Sequence, residues 1–212
     1  MAKGPVLFAT LGFTPRLVMA PLRHHPEIRA VHVFYGPPGQ KQAETALAKL
    51  KAACEALDVQ LTAHGVKDAF DYVGFLHAME KAHTKLPRGA EVLFNGSGGP
   101  RPMTMAATIF CFTRELPLLY YDEYNSQQGR LIPLKAYRSL QDMGDSQRRI
   151  LHRLQQGEAD MGTLSQELGL APSTLTKHVT RLEENDVVTV ARDGKRRVVT
   201  LQPDLVAMEL GA

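Results

Sequence analysis

The sequence lacks the marks of several large protein classes. It contains no tryptophan and only two cysteines, Cys54 and Cys111, which lie far apart in apolar, helix-like surroundings. Without a CxxC pair, neither a disulfide framework nor a zinc knuckle is expected, and both thiols are predicted to be buried. No apolar run approaches the roughly 20 residues that span a bilayer, and residues 1–5 form no signal-peptide core. We therefore expect a cytoplasmic protein with no membrane partner.

Signatures of metal sites and hydrolases are also missing. The eight histidines are scattered and form neither an HExxH motif nor a carboxylate-backed triad, so we expect no metal site and assign no catalytic residue. The net charge of +3 permits an anionic partner without requiring one. Acidic and basic residues nearly balance after residue 142. Any DNA binding there must come from local cationic clusters.

The first 140 residues alternate short apolar runs with longer amphipathic segments, which is typical of a parallel sheet flanked by helices. Strands are predicted at residues 5–10, 29–35, 59–64, 91–95 and 116–121, and helices at 15–24, 40–57, 69–86 and 103–115. A polar hairpin or loop at 122–130 would lead to an edge strand at 131–134, because Pro133 suits an edge strand better than a central one. The fold class expected is α/β.

Loops after predicted strands carry the candidate ligand chemistry, because ligands of open α/β sheets bind outside the carboxyl ends of the strands. Glycines there let the backbone approach a ligand closely, and Arg101 adds a fixed positive charge. The loop at 95–103 is neither a Walker A loop nor a GxGxxG fingerprint. Such a loop can also serve only as a turn, and that alternative stays open. The candidate ligand-binding residues are Thr10, Leu11, Gly12, Phe13, Thr14, Tyr35, Asn95, Gly96, Ser97, Gly98, Gly99, Arg101 and Met103.

Two of these segments resemble a known family. Leu11-Gly12-Phe13, together with Asn95-Gly96-Ser97-Gly98-Gly99-Pro100-Arg101-Pro102-Met103, is similar to the Leu-Gly-Phe and Asn-x-Ser/Thr-Gly-Gly-Thr-Lys/Arg-x-Met motifs of the CARF domain, a CRISPR-associated Rossmann-like sensor. The resemblance implies a homodimer that binds a cyclic oligoadenylate across its two-fold axis. Pro100 departs from the usual Thr and removes one amide donor. The positions carried over are Thr10, Gly12, Phe13, Asn95, Ser97, Gly98, Gly99 and Arg101.

From residue 145 onward the pattern changes to short helices with tight turns. A first helix is predicted from residue 145 or 146 to a stop at Gly157, and a second at 163–168. A third helix at 172–184 is predicted to bury Leu175, Val179 and Leu182 and to face polar residues outward. Asp193-Gly194 predicts a two-residue hairpin between strands at 187–191 and 196–201, with a basic tip. The stretch 164–197 resembles MarR-like and ArsR-like winged helices, with Ala171 where a capping Ser is usual. The candidate DNA-binding residues are Ser173, Thr174, Thr176, Lys177, Arg181, Arg192, Lys195, Arg196 and Arg197.

The expected architecture is thus a Rossmann-like CARF sensor at residues 1–140 and a small winged helix-turn-helix domain at 141–212. Some CARF proteins are similar to this chain over nearly its whole length, which implies a transcription regulator in CRISPR-associated antiviral defence. Its partners would be double-stranded DNA and a cyclic nucleotide effector, with cyclic tetra-adenylate favoured and no other cofactor. Three alternatives remain: a ring nuclease that cleaves the cyclic oligoadenylate, a metabolite-sensing regulator outside CRISPR, and a winged helix used for protein contacts.

Overall fold

The structure, a computed structural model, describes residues 4–122 and 129–206. It divides into two compact units, Met1–Leu134 and Lys135–Ala212. This division precedes the boundary expected after residue 140, because the helix Leu134–Gln141 places Ala136 in the core of the second unit. Within the described residues, none of the helices has both the length and the apolar character that a membrane crossing requires.

The first unit is built on one six-stranded sheet. Its strands are β1 (Val6–Thr10), β2 (Ala30–Tyr35), β3 (Gln60–Gly65), β4 (Val92–Asn95), β5 (Leu118–Tyr121) and β6 (Gly129–Ile132). The order is β3-β2-β1-β4-β5-β6, and only β6 runs antiparallel to its neighbour. The predicted edge strand is present but lies two residues earlier than expected, at Gly129–Ile132 instead of 131–134, so that Pro133 follows the strand rather than forming part of it. The polar loop expected before it falls largely outside the described residues.

Four helices connect the parallel strands: α1 (Arg16–His24), α2 (Lys41–Ala56), α3 (Tyr72–His83) and α4 (Arg101–Arg114). Alternate strand residues pack on opposite faces of the sheet, so both faces are buried. Phe8, Phe34 and Phe94 form an aromatic cluster with Phe110 of α4. Leu7 and Val33 belong to a second cluster that includes residues of α1 and α2. The Rossmann-like, mainly parallel fold predicted from the sequence is confirmed.

The strand order reverses beside β1, and this fixes where a ligand can bind. β1 pairs with β2 on one side and with β4 on the other. The chain therefore leaves the carboxyl ends of β1 and β4 toward opposite faces of the sheet and opens a crevice between the two loops. Ala9 and Asn95 are register partners at this edge. The loops that follow these two strands consequently lie next to each other.

The second unit contains α5 (Leu134–Gln141), α6 (Asp145–Gln155), α7 (Met161–Leu168), α8 (Pro172–Glu184) and α9 (Pro203–Val206). Its strands are β7 (Ala159–Asp160), β8 (Val188–Asp193) and β9 (Arg196–Leu201), in the antiparallel order β7-β9-β8. Asp160 caps α7 by accepting hydrogen bonds from the backbone N–H groups of Gly162 and Thr163. This cap starts the helix earlier than the sequence pattern indicated.

The hairpin of this unit differs by one residue from the prediction. Asp193 is the last residue of β8 and pairs with Arg196, so the two loop residues are Gly194 and Lys195 rather than Asp193 and Gly194. Gly194 has φ +59° and is the first central residue of the turn. A type II′ hairpin requires glycine at that position, which explains the shift.

Candidate ligand cleft and DNA-binding surface

A cleft of about 680 Å³ opens at the carboxyl edge of the sheet. Its walls come from the segments that follow the first four strands, as expected for a crevice at a reversal of strand order. Residues of the predicted set that line it are Leu11, Gly12, Phe13, Thr14, Ser97, Gly98 and Gly99. The other lining residues are Leu17, Gly36, Pro37, Gln40, Ala43, Lys67, Asp68, Ala69, Phe70 and Pro100.

The floor of the cleft is formed by direct contact between two backbone segments. A Cβ atom on Gly12 would lie 2.7 Å from the backbone nitrogen of Gly99, and one on Gly98 would lie 2.5 Å from the carbonyl oxygen of Thr10. Gly99 has φ +87°, a conformation that favours glycine. Only residues without side chains allow the loops after β1 and β4 to approach this closely. The glycines thus position peptide groups, rather than side chains, at the base of the cleft.

A buried hydrogen-bond network holds the loop after β4. The Asn95 amide nitrogen donates to the Leu17 carbonyl oxygen at 2.7 Å, and its side-chain oxygen accepts from the Ser97 N–H at 3.1 Å. The Ser97 hydroxyl donates to the same Asn95 oxygen and accepts from the Tyr121 N–H at 2.7 Å. Asn95 is 1% exposed. These groups tie β4, α1 and β5 together beneath the cleft.

The remaining predicted ligand residues do not line the cleft wall. Thr10 is buried, and its hydroxyl donates a long hydrogen bond of 3.5 Å to the Asn95 carbonyl oxygen. Met103 is fully buried against Gly99. Arg101 is exposed at the first residue of α4. Thr10, Asn95, Gly96 and Met103 therefore support the loop from below, and direct contact with a ligand stays a prediction for them and for Arg101.

Tyr35 is likewise absent from the lining of the cleft. It is buried in the cluster that includes residues of α1 and α2, with its ring beside Gly65. Burial raises the pKa of its hydroxyl, and the nearby carboxylate of Glu44 adds to this effect. The residue at the end of β2 is thus part of the core, and only the following Gly36 and Pro37 reach the cleft.

Two phenylalanines border the cleft with much of their surface exposed. Phe13 follows β1 and is 58% exposed, and Phe70 follows β3 and is 73% exposed. Lys67 and Asp68 lie in the same segment as Phe70. Sequence reasoning did not identify the segment after β3. An aromatic residue placed shortly after a strand, at the edge where ligands bind, was the signal that would have indicated it.

The surface of α8 in the second unit has the predicted arrangement. Leu175, Val179 and Leu182 are buried, and the outward residues Ser173, Thr174, Thr176, Lys177 and Arg181 are all exposed. Ala171 occupies the N-cap without a side-chain cap, and Pro172 begins the helix. The Thr176 hydroxyl donates to the Pro172 carbonyl oxygen at 2.9 Å. Short polar groups and a cation therefore surround the N-terminal half of the helix.

The hairpin β8–β9 concentrates positive charge. Arg192 and Arg197 are directly paired across the two strands and so lie on the same face, while Arg196 is paired with Asp193. Arg192, Lys195 and Arg196 are exposed, and Arg197 is half-buried. Like charges opposite each other destabilise a hairpin. An anion bound beside Arg192 and Arg197 would therefore reduce the repulsion between their two guanidinium groups.

Comparison with known families assigns the second unit. Residues 143–189 match the family model described as winged helix-turn-helix DNA-binding. The second unit is a winged helix-turn-helix. In this fold α8 is the recognition helix and β8–β9 is the wing. The architecture expected from the sequence, a Rossmann-like domain followed by a winged helix, is confirmed. Among curated protein sequences, none matches the chain.

Solved structures resemble either part or most of the chain. HlyU from Vibrio cholerae is 29% identical, with 34% of this chain and 82% of that chain covered and a TM-score of 0.32. Can2 from Sulfobacillus thermosulfidooxidans, in complex with cyclic tetra-adenylate, is 14% identical over 87% of this chain and 58% of its own, with a TM-score of 0.49. Csm6 from Enterococcus italicus, bound to cyclic hexa-2'-fluoro-hexa-dAMP, is 12% identical over 87% and 55%, also with a TM-score of 0.49. In the last two cases the match spans less than two thirds of the other protein.

Two arginines of the winged helix serve its internal packing. The guanidinium of Arg149 donates to the Leu168 carbonyl oxygen at 2.7 Å, at the end of α7. Arg153 pairs with the carboxylate of Glu167 and also donates to the Gly157 carbonyl oxygen. These contacts join α6 to α7 and fix the orientation of the helix-turn-helix. The exposed cations of α8 and the wing include Lys177, Arg181, Arg192, Lys195 and Arg196.

Proposed function

We propose that this chain is a transcription regulator that binds double-stranded DNA through its winged helix and responds to a cyclic oligoadenylate bound in the cleft of the first unit. Cyclic tetra-adenylate is the favoured ligand. The proposal rests on the cleft. Its floor is formed by backbone peptide groups of glycine residues, and its lining includes two exposed phenylalanines and a lysine. The ligand class follows from the resemblance of the loops at 11–13 and 95–103 to CARF motifs.

The chemistry of the cleft suits a nucleotide in three respects. Closely packed glycine loops present backbone amides, which bind phosphate oxygens without the entropic cost of ordering a long side chain. Phe13 and Phe70 offer aromatic faces on which bases stack. Lys67 supplies a positive charge, and none of the ion pairs found between described residues involves it. A purely apolar metabolite would leave the amides and the lysine without partners.

A dimer would explain how a cyclic ligand is held. α4 begins directly after the glycine loop and exposes Met105 and Ile109, four residues apart on one side of the helix. Packing of this face against a second copy would cover the apolar surface and bring two copies of the loop at 96–100 together. A ring of four adenylates can have two-fold symmetry, so two identical loops can bind it in equivalent ways. We therefore propose a homodimer formed through α4.

The DNA-binding half of the proposal rests on charge and shape. The N-terminal half of α8 presents hydroxyl groups and Lys177, which suit phosphate and base-edge contacts in a major groove. The wing adds Arg192, Lys195 and Arg196 for contacts with the DNA backbone. Ligand binding would change the spacing of the two winged helices of a dimer and thereby the affinity for paired half-sites.

The ligand assignment is tested by calorimetric titration of the full chain with cyclic tri-, tetra- and hexa-adenylate and with linear tetra-adenylate. We expect one ring size to bind selectively, to be recovered intact, and to stabilise the first unit by about 2.7 kcal/mol when present at about 100 times its dissociation constant. Phe13→Ala should weaken binding, and Leu57→Ala, an equally exposed apolar position outside the cleft, should not. Failure of every ring to bind would overturn the assignment.

A further inference from the structure

The segment that joins β3 to α3 contributes its own set of chemical groups to the cleft. Lys67, Asp68, Ala69 and Phe70 all line it. Phe70, at 73%, is the most exposed of the large apolar side chains in the part of the chain that the structure describes. Exposure of most of a phenylalanine side chain is unfavourable in water. Such a ring at the rim of a cavity indicates a surface that a ligand covers.

The segment is also held in a defined shape. The Asp68 carboxylate accepts a hydrogen bond from the Phe70 N–H at 2.9 Å through Oδ1, and the Asp68 carbonyl oxygen accepts from the Asp71 N–H at 3.2 Å. Asp71 then caps α3 by accepting from the Gly74 N–H at 2.8 Å. At the other end, the Val66 N–H donates to the Tyr35 carbonyl oxygen at 2.9 Å. Phe70 is thus presented on an anchored turn.

We infer that this segment recognises the base of the bound nucleotide, with Phe70 stacked on the ring and Asp68 accepting a hydrogen bond from an exocyclic amino group. The inference deepens the proposed function and rests on it. Asp68 uses only Oδ1 in the turn, so Oδ2 is available as an acceptor. Lys67, the adjacent residue, offsets the repulsion between this carboxylate and a ligand phosphate.

The position of Asp68 gives the site a definite selectivity. An ionised carboxylate accepts hydrogen bonds and does not donate them. An adenine presents its N6 amino group as a donor, whereas hypoxanthine presents a carbonyl oxygen at the same position and would be repelled. Sites that hydrogen-bond a substrate group discriminate strongly against an analogue that lacks it. The segment should therefore distinguish cyclic tetra-adenylate from its inosine counterpart.

The experiment is a calorimetric titration of the full-length protein and its variants with cyclic tetra-adenylate and cyclic tetra-inosinate. Phe70→Ala should weaken binding of the adenylate ring by roughly 10-fold or more, the range expected for loss of base stacking. Val73→Ala, an exposed apolar residue of α3 outside the cleft, is the matched control and should bind as the wild type does. Asp68→Asn keeps a side-chain oxygen that accepts from the Phe70 N–H and adds an amide N–H donor that can bond the hypoxanthine carbonyl oxygen. It should therefore reduce or reverse the preference for the adenylate ring over the inosinate ring.

The outcomes separate this inference from the proposed function. If the wild type binds the adenylate ring but Phe70→Ala binds it equally well and Asp68→Asn keeps the same preference for adenine, the inference is overturned and the proposed function stands. If the wild type binds neither ring, both are overturned. Weakened binding in Phe70→Ala, together with altered base preference in Asp68→Asn and unchanged binding in Val73→Ala, supports the inference.

Discussion

The hydroxyl oxygen of Ser97 accepts a hydrogen bond of 2.7 Å from the backbone N–H of Tyr121, which joins the glycine loop of the cleft to the end of β5. Tyr121 pairs with Gly129 in β6, and its ring lies so close that a Cβ atom on Gly129 would be 2.5 Å from it. β6 is separated from α5 only by Pro133. The cleft loop is thus hydrogen-bonded to the last pair of strands of the first unit, β5 and β6.

Replacement of Ser97 by alanine should destabilise the first unit by about 1–2 kcal/mol. The change removes the hydroxyl that bonds Asn95 and leaves the Tyr121 N–H without its acceptor in a partly buried place. Differential scanning calorimetry of the full chain measures this loss. Ser173→Ala, at an exposed position on α8, should leave the same transition unchanged. Equal stability of Ser97→Ala and the wild type would show that the network does not hold the loop.

Substitution of Arg192 by alanine should weaken DNA binding while leaving the fold as stable as before or more stable. Arg192 lies opposite Arg197 across the wing, so its removal relieves repulsion in the free protein and removes one phosphate contact in the complex. The dependence of log affinity on log salt concentration should become shallower by about 1.

A matched control for this charge is Lys51→Ala, an exposed cation of α2 in the other unit. It should change neither the affinity nor the salt dependence. Retention of the wild-type salt slope by Arg192→Ala would contradict a role of the wing in phosphate contact, and loss of thermal stability in that variant would contradict the repulsion argument.

Introduction of a charge on α4 should separate the proposed dimer. Met105→Glu places a carboxylate on the exposed apolar face that includes Ile109, and burial of an unpaired charge in an interface is costly. Sedimentation velocity should show a monomer for this variant, and its affinity for the cyclic ligand should fall. Leu57→Glu, at the end of α2, should stay dimeric. A wild type that sediments as a monomer with or without ligand would rule out the α4 dimer.

The first unit should lose stability as the pH falls below neutrality because of two neighbouring histidines. Nδ1 of His32 lies 2.9 Å from Nε2 of His64, and burial lowers the pKa of both rings, that of His64 to about 4 with further contributions from His32 and Lys85. The unfolded chain, with histidine pKa values near 6.5, binds more protons than the native state as the pH decreases from about 6.5 toward about 4. The free energy of unfolding should therefore decrease over that range.

The measurement is chemical unfolding at pH 7 and pH 5, followed by circular dichroism because the chain has no tryptophan. His64→Gln should make the stability less dependent on pH, whereas His152→Gln, an exposed residue of α6, should not. Greater stability of the wild type at pH 5 than at pH 7 would contradict this account of the histidine pair.

Much of the fold could be predicted because its periodicities are local. The strand at β1 and the buried positions Leu175, Val179 and Leu182 of α8 follow from the spacing of apolar residues alone. Gly12 and Gly98 could be recognised as loop residues near a ligand site. Their direct backbone contact could not, because it depends on the pairing of β1 with β4, which are far apart in the sequence.

The candidate site shows where sequence reasoning is insufficient. Asn95 and Thr10 have residue types that suit ligand binding, but at the ends of their strands both are buried and bonded within the protein. A motif identifies a loop without fixing which side chains face the ligand. Phe70 could not be predicted as a cleft residue, because the segment after β3 has no glycine-rich pattern. Only the order of the strands in the sheet brings Phe70 to the same edge as Phe13.

The most direct test of the account measures the affinity of the full chain for a duplex selected from a random library, with and without saturating cyclic tetra-adenylate. We expect the ligand to change the affinity by about 5-fold or more, the range of allosteric coupling. Insertion of two glycines between Pro133 and Leu134 should preserve both binding reactions and abolish that change. A DNA affinity that stays constant while the ligand is shown to be bound would contradict the account.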